Sequence, residues 1–555
     1  MIERRPARQV MRLKRLGSLH QCRLSFMRQL TRRMASENWT FERKVFDIDA
    51  AGVGHAVYTT TGPHRSYSLV AFAHDLPDDM RSDRVIATAW DTTFALFDGT
   101  PTAGDVARLS KNVPFQEAGR ISESELTLSR ANRSMRLWSH VVSTLADGQQ
   151  PDLAQIEAVG YLMRTTAVYG SGKFGAADRA TYAERSEFQS PFQAELLTVY
   201  LIRWFVRDLI EHMARIQGGA SAVPLAPAIA RQLGIGNSTG LGMAPFLINH
   251  PVLFNNWIMA REEAIARVRR IPEASPLEVS TFESLFARTN VSVARWRSEH
   301  PIQVEKLADL RRDLGELEAK LADGVLNQKD PWNSLYRWSE ENLSEEGQEL
   351  VASLMLEAYP ELTDGLASCM TDAREDALAL DGSATVAQTR GQLETAFGWA
   401  KEVDWQEQAH CARAWYVSEE KLEPRLGERF QEPIADYEQP LAPARDAVAA
   451  LKDLENWTPD APIAEFLETH PEHRHTVRRA QVVEFAPYSE IQDNTISSEV
   501  MPIDMLRAKL SFFGATHFDP RSDRWVRICM YAGAPYPEEL TSETSDLWVY
   551  PEATP

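Results

Sequence analysis

The chain has 555 residues, 44% of them hydrophobic and 25% charged, with a formal charge of −20. This is ordinary globular composition, long enough for more than one core, and it excludes a disordered polyelectrolyte. No run approaches the roughly 20 uncharged apolar residues that a membrane helix needs. The nearest, Leu196 to Ile210, is interrupted by Arg203, Arg207 and Asp208.

The charge is segregated. Residues 1–33 carry ten Lys/Arg against one acid, Glu3, a net of +9 that leaves −29 on the rest. A body that acidic repels phosphate backbones, so no nucleic-acid partner and no membrane is expected. Leu19, Phe26, Met27, Leu30 and Met34 recur at helical spacing, which makes 18–35 an amphipathic helix of the fold preceded by a loose tail. Four cysteines without a close pair argue against a disulfide framework or thiolate zinc, and for the reduced cytoplasm.

Along the chain, 41–49, 55–60 and 67–74 are rich in Val, Tyr, Phe and Thr and bounded by Ala-Gly and Gly-Pro turns. They predict an antiparallel meander. Residues 85–97 read as a helix closing at Asp98-Gly99. Three- and four-residue apolar spacing predicts helices over 124–146, 153–169, 192–216 and 250–270, and Leu307, Leu310, Leu314, Leu317 and Leu321 predict another over 301–323. Further helices are expected through 331–480, with a Pro-rich linker at 421–443, then a helix at 505–513 and a strand at 525–532. The fold class is therefore α+β, predominantly helical, with short antiparallel strands near both termini around a central helical bundle; no βαβ alternation is expected. The corresponding regions are a basic tail and helix (1–36), a meander region (37–115), a helical region with glycine-rich loops (116–290), a helical region with the leucine-spaced arm (291–480) and a C-terminal α+β segment with an acidic tail (481–555).

Two segments concentrate glycine with polar side chains. The first runs from Arg164 through Tyr169-Gly170-Ser171-Gly172-Lys173-Phe174. Its glycines let backbone N–H groups converge on an oxyanion, with charge from Arg164 and Lys173. It resembles a phosphate-binding P-loop, but Phe174 replaces the magnesium-holding Ser/Thr and a helix is expected where that motif needs a strand. The second, Gly234 to Pro251, contains Gly236-Asn237-Ser238-Thr239-Gly240, which resembles the nucleophile elbow of α/β-hydrolases. The expected helix before it again argues against the motif. The same run resembles in part the mobile Ser- and Asn-bearing loop of fumarase/aspartase lyases, through Ser238-Thr239, Met243, Pro245, Asn249 and Pro251, without that loop's lysine.

The helix over 192–216 is apolar on nearly every side yet carries Arg207, Asp208, Glu211 and His212, with Arg207–Glu211 and Asp208–His212 at pairing distance. Together these segments suggest a site for a small anionic substrate. Arg164, Lys173, Arg207, Asn237, Thr239 and Asn249 would bind it; His212 or His250 would move protons, with Tyr169 or Ser238 as hydroxyl partner. Lyase, isomerase or hydrolase chemistry without a cofactor is the expectation. The alternative is a non-catalytic ligand-binding or assembly protein using its acidic surface and leucine-spaced arm, which leaves a homodimer open. Three smaller groups read as surface or capping: His74-Asp75; Trp90-Asp91-Thr92; and Arg130, Asn132, Arg133 and Arg136, a helix face that could otherwise recognise carboxylate or phosphate bidentately. Pro471 and neighbouring arginines make His470-x-x-His473-x-His475 read as a solvated loop, and no metal is expected.

Overall fold

The computed structural model describes the chain except residues 1, 81–88, 116–121, 171–184, 238–250, 300, 372–379, 407–414, 419–420, 427–435, 438–440, 493–501, 516, 521–525 and 552–555. The fold is α+β with helix dominant. It comprises two compact units, each assembled from separate stretches: a sheet unit (21–240, 283–311 and 510–555) and a helical unit (1–20, 241–282 and 312–509).

The sheet unit is built on nine strands: β1 (Thr40–Ile48), β2 (Gly54–Thr61), β3 (Ser66–Ala73), β4 (Thr92–Asp98), β5 (Glu125–Arg133), β6 (Tyr161–Gly170), β7 (Gly234–Asn237), β8 (His517–Pro520) and β9 (Val526–Met530). Their order is β1-β2-β3-β4-β5-β6-β7-β9-β8, so strands from both ends of the sequence share one sheet. β1, β2 and β3 pair antiparallel as the alternation predicts. β6 and β7 pair parallel, joined through a long helix. This is a βαβ crossover where none was expected.

Three predicted helices are wholly or partly strand. Residues 124–146 divide into β5 and a helix over Trp138–Ala146, and 153–169 into a helix over Leu153–Val159 and β6. The described part of 85–97 is β4 and the turn before it. The cause is burial on both faces: all of β5 except Arg130 and Arg133 is buried, so apolar spacing there no longer reports one exposed side.

The helices of this unit are α1 (Phe26–Ser36), α2 (Ala103–Leu109), α3 (Trp138–Ala146), α4 (Leu153–Val159), α5 (Gln193–Gly218) and α6 (Pro227–Gln232). α5 is the core element. β2 to β7 all contact it, as do α1 and α3. Phe205 meets the edges of Phe94 and Tyr58, Thr198 Oγ1 bonds Thr127 Oγ1 at 2.7 Å, and Tyr531 donates to the Leu196 carbonyl at 3.1 Å. The other sheet face packs Val57, Val70, Phe72, Ala95, Phe97 and Leu128 against α2.

α1 is docked by charge. Arg23, Arg28 and Arg32 reach the Asp546 carboxylate at 2.7, 3.0 and 3.1 Å. Burial alone would raise that carboxyl's pKa, but the guanidiniums of Arg28, Arg32 and Arg23 outweigh it and hold it well below the usual range.

In the helical unit, α7 (Pro251–Arg269), α8 (Pro331–Asn342) and α9 (Glu345–Glu357) pack together. A second core gathers α10 (Val386–Phe397), α11 (Leu441–Leu454), α12 (Ile463–Thr469) and α13 (Arg474–Phe485) around Leu393, Phe397, Leu451, Ile463 and Phe466. The expected linker instead contains short strands at Lys421–Leu426 and Asp436–Tyr437, which flank Trp415–Ser418 in a three-stranded sheet. The helix Pro301–Ala322 forms as predicted, with Leu307, Leu310, Leu314 and Leu317 buried. That leucine face is occupied within the folded chain, which removes the observation favouring an arm for dimerisation.

The first residues are no loose tail. Arg5 clamps Glu262 through two bonds of 2.6 Å and Glu349 through one of 2.7 Å. Arg261 adds a 2.6 Å bond to Glu349, and Arg15 lies 3.1 Å from the same carboxylate. Burial opposes ionisation of Glu349, yet Arg5, Arg261 and Arg15 hold its pKa far below normal. Replacing one charge in such a cluster leaves the others uncompensated. Glu349→Gln should therefore lower the stability of the transition that unfolds this unit by about 3–5 kcal/mol, read from urea melts.

Beside that cluster His20 lies 3.7 Å from Glu346, which Arg507 also holds. Burial lowers the imidazole to about 4; Arg507 and Arg261 add to the effect, while Glu346 and Glu349 oppose it. The unfolded chain thus takes up this proton first. Its contribution to stability is complete above about pH 6.5 and is lost progressively towards pH 4. Urea midpoints should fall across that window, and His20→Gln should flatten the fall.

Candidate functional site

The strand pairing sorts the expected site residues onto two faces. Thr198 on α5 bonds Thr127, and Phe94 packs on Phe205, which defines the α5 side of the sheet. Thr92 donates to Met163 on that same side at 3.3 Å. Asn132 pairs with Arg164 and Arg133 with Met163, so alternation directs Arg164 and Asn132 to the opposite face.

Arg164 is completely buried there. Arg130 is on the same face two residues along from Asn132, and its guanidinium lies 4.0 Å from the centre of the buried Trp90 ring. Thr93 pairs with Arg130, and its hydroxyl is 3.2 Å from His74 Nε2. Asn132 holds the segment before β4: its Oδ1 accepts from the Asp91 N–H at 2.9 Å, and its amide donates to the Ala89 carbonyl at 3.3 Å. Asp91 accepts the backbone N–H of Arg133 at 3.0 Å, and its other oxygen lies 3.6 Å from Arg133 Nε. Burial lowers the pKa of His74, with Asp91 opposing, so the ring is neutral at pH 7.

This polar patch, two arginines with an imidazole and an amide on one sheet face, is the candidate site. Its members come from residues 74, 90–93, 130–132 and 164. The expectation of a helix over 124–146 hides Arg130 and Asn132, which share one face only on a strand. The usable signal was the alternation Leu126-Thr127-Leu128-Ser129, a period of two running directly into Arg130.

Of the expected residues, Arg164 belongs to this patch. Asn237 is on the adjacent strand but pairs with Thr165, which puts its side chain on the α5 side. Arg207 and His212 are on α5 itself and serve packing. Arg207 pairs with Glu538 and stacks on Tyr536 at 4.2 Å; Glu211, its expected partner, accepts from the Leu225 N–H at 3.1 Å. Asp208 binds Tyr58 Oη and Arg43, each at 2.8 Å, rather than His212. His212 bonds the Asp49 carbonyl at 3.0 Å and packs on Phe46. Arg203 caps α6 through a 2.7 Å bond to the Leu233 carbonyl. Tyr169 is part of β6, with its side chain outside the described set; Lys173, Ser238, Thr239, Asn249 and His250 lie outside the described residues.

β6 ends at Gly170, immediately before Ser171-Gly172-Lys173, so the helix-based argument against the P-loop resemblance falls, while the missing Ser/Thr at Phe174 stands. The second segment is preceded by the expected helix, α6 (Pro227–Gln232), and opens with the four-residue β7 that ends at Asn237. Two of the glycines have packing duties. A Cβ on Gly236 would meet the Tyr161 ring at 2.8 Å, and one on Gly234 the Met530 carbonyl oxygen at 2.2 Å. Gly236→Ala should accordingly destabilise the sheet unit by about 1–3 kcal/mol, measured by thermal or urea unfolding.

A separate cavity of about 320 Å³ is lined by Gly160, Gln232, Ser292, Arg295, Trp296 and Trp548 among others. It sits where β6 and β7 begin, at the opposite end of those strands from the glycine-rich segments, and its walls are mainly apolar. Arg297 at its edge donates to the carbonyls of Ala294 and Trp296, as a helix cap does. We take the charged patch as the candidate site because it gathers charged and titratable side chains on one sheet face, whereas the cavity walls are mainly apolar.

No family model, curated protein or solved structure matches the chain. No described helix is long and apolar enough to cross a membrane.

Proposed function

We propose that the chain is an enzyme of the reduced cell interior that binds a small anionic metabolite and acts on it by acid–base chemistry. The observation that carries this reading is the burial of Arg164 on one sheet face with Arg130, Asn132 and His74 on that same face. Two guanidiniums on one sheet face, with an amide and an imidazole beside them, form a donor set suited to carboxylate or phosphate. A neutral imidazole held by a hydroxyl is the form that accepts a proton.

In this reading Arg164 and Arg130 hold the anion, Trp90 gives Arg130 a flat backing, Asn132 orients the neighbouring segment and His74 acts as base. Ser238 directly follows a strand, as an elbow serine does, which favours hydrolysis over elimination or isomerisation. Lys173, on the segment after β6, supplies further charge. Binding without turnover is the second reading, and the same arginines support it.

Thermal shifts with phosphate, succinate and citrate test the binding. Arg164→Leu and Arg130→Leu should each abolish the stabilisation that the preferred anion gives, whereas Arg207→Ala should lower the melting temperature yet retain it. Equal shifts in all three variants would overturn the assignment. With turnover of carboxylated nitrophenyl esters as readout, kcat/KM should have an acid limb below pH 6.5, because burial lowers the His74 pKa, and Ser238→Ala should reduce the rate by at least about 100-fold.

A further inference from the structure

The sequence His470-Pro471-Glu472-His473 is not a loose loop. His470 ends α12, residues 471–473 form a short 3-10 turn, and His473 begins α13 with only 5% of its surface exposed. Asp453, at the end of α11, faces this turn: His473 Nε2 and Asp453 Oδ2 are 2.8 Å apart. His470 Nδ1 and Glu472 Oε1 are 3.3 Å apart. One ligand atom from each of the four residues lies within 4.8 Å of every other.

Both imidazoles are held by an aromatic support. Phe466, itself fully buried, stacks on His470 at 4.8 Å and on His473 at 5.7 Å, nearly parallel to the latter at 4°. Trp457 closes against Phe466 at 5.4 Å and His470 at 6.3 Å. The nitrogen donors are thus fixed before any ion arrives, while the two carboxylates remain reachable: the side chains of Glu472 and Asp453 are 60% and 39% exposed. That combination lets a hydrated ion enter from solvent and exchange water for ligands.

We propose that Asp453, His470, Glu472 and His473 form a binding site for a zinc-class divalent ion. Ligand atoms about 2.0–2.1 Å from a tetrahedral ion stand roughly 3.3 Å apart. Two of the distances already match this to within about 0.5 Å, and rotation of the exposed carboxylates brings in the rest. Two imidazoles with two carboxylates suit Zn²⁺, Co²⁺ or Ni²⁺; Mg²⁺ and Ca²⁺ take oxygen sets instead. A bound ion would tie the end of α11 to the α12–α13 joint and replace the direct His473–Asp453 bond.

The test uses the full chain, stripped with EDTA and dialysed, then titrated with Zn²⁺ against a chromophoric chelator and with Co²⁺ by its visible ligand-field bands. The expected result is about one ion per chain, a higher melting temperature, and at least about 100-fold weaker binding in His470→Ala and Asp453→Asn. His475→Ala should bind as the parent does. Neither His470 nor Asp453 is buried, their side chains being 28% and 39% exposed, so circular dichroism should show both variants folded. Absence of binding, or binding unchanged in His470→Ala and Asp453→Asn, would overturn the proposal and leave a plain ion pair.

Discussion

The folded state depends on arginine side chains from the first 33 residues reaching buried carboxylates far along the sequence. Glu262 and Glu349 in the helical unit, and Asp546 in the sheet unit, are buried or largely so, and each is neutralised by arginines from residues 5–32. A buried carboxylate without a counter-charge costs several kcal/mol. In the helical unit Arg261 shares this role, reaching Glu262 at 3.0 Å and Glu349 at 2.6 Å. The contrast of +9 against −29 is the trace of this arrangement in the composition. Arg5, Arg15, Arg23 and Arg28 are buried, so their charge is spent inside the fold.

Much of the fold was legible where one face of an element meets water or where a helix is long. The meander β1–β3 was placed to within a residue or two by its alternation and turn residues. α5 and the helix Pro301–Ala322 were found from apolar spacing sustained over many turns. β5 and β6 are hard to see because both faces of β5 and of residues 161–165 are buried, and because Arg130, Asn132 and Arg133 look alike at helical and strand spacing when only three positions are compared. Gly160, directly after α4, marks the change to strand, yet glycine closes helices and opens loops equally often.

The candidate site was less legible than the fold, for a physical reason. Its members are contributed by segments that meet only through strand register, and of His74, Arg130, Asn132 and Arg164 only Arg130 and Asn132 share a strand. Arg164 drew notice through its neighbour glycines, yet the glycines that the structure describes on β7 serve Tyr161 and the strand beside them. His212 and Arg207 drew notice as charges on an apolar helix, and that environment turned out to demand structural partners: the Asp49 carbonyl, Glu538 and the Tyr536 ring. A buried charge indicates that something compensates it, and sequence cannot say whether the compensation is protein or ligand. The histidines at 470–473 show the converse. Pro471 suggested solvent, but proline also starts helical turns, and Phe466 four residues earlier is what aligns the rings.

β6 joins these threads. It is the strand where an otherwise antiparallel sheet acquires a parallel neighbour, and the crossover between the two is α5, the core of the unit. In sheets with parallel pairs, ligands gather at the carboxyl ends of such strands, because successive connections diverge there and leave room. β6 and β7 run in the same direction, with Arg164 beside Gly236 and Thr165 beside Asn237. β7 therefore ends level with the middle of β6, and the two strands end at different heights, at Asn237 and at Gly170. The register between those two strands is consequently the constraint on which the functional reading turns, more than any one side chain.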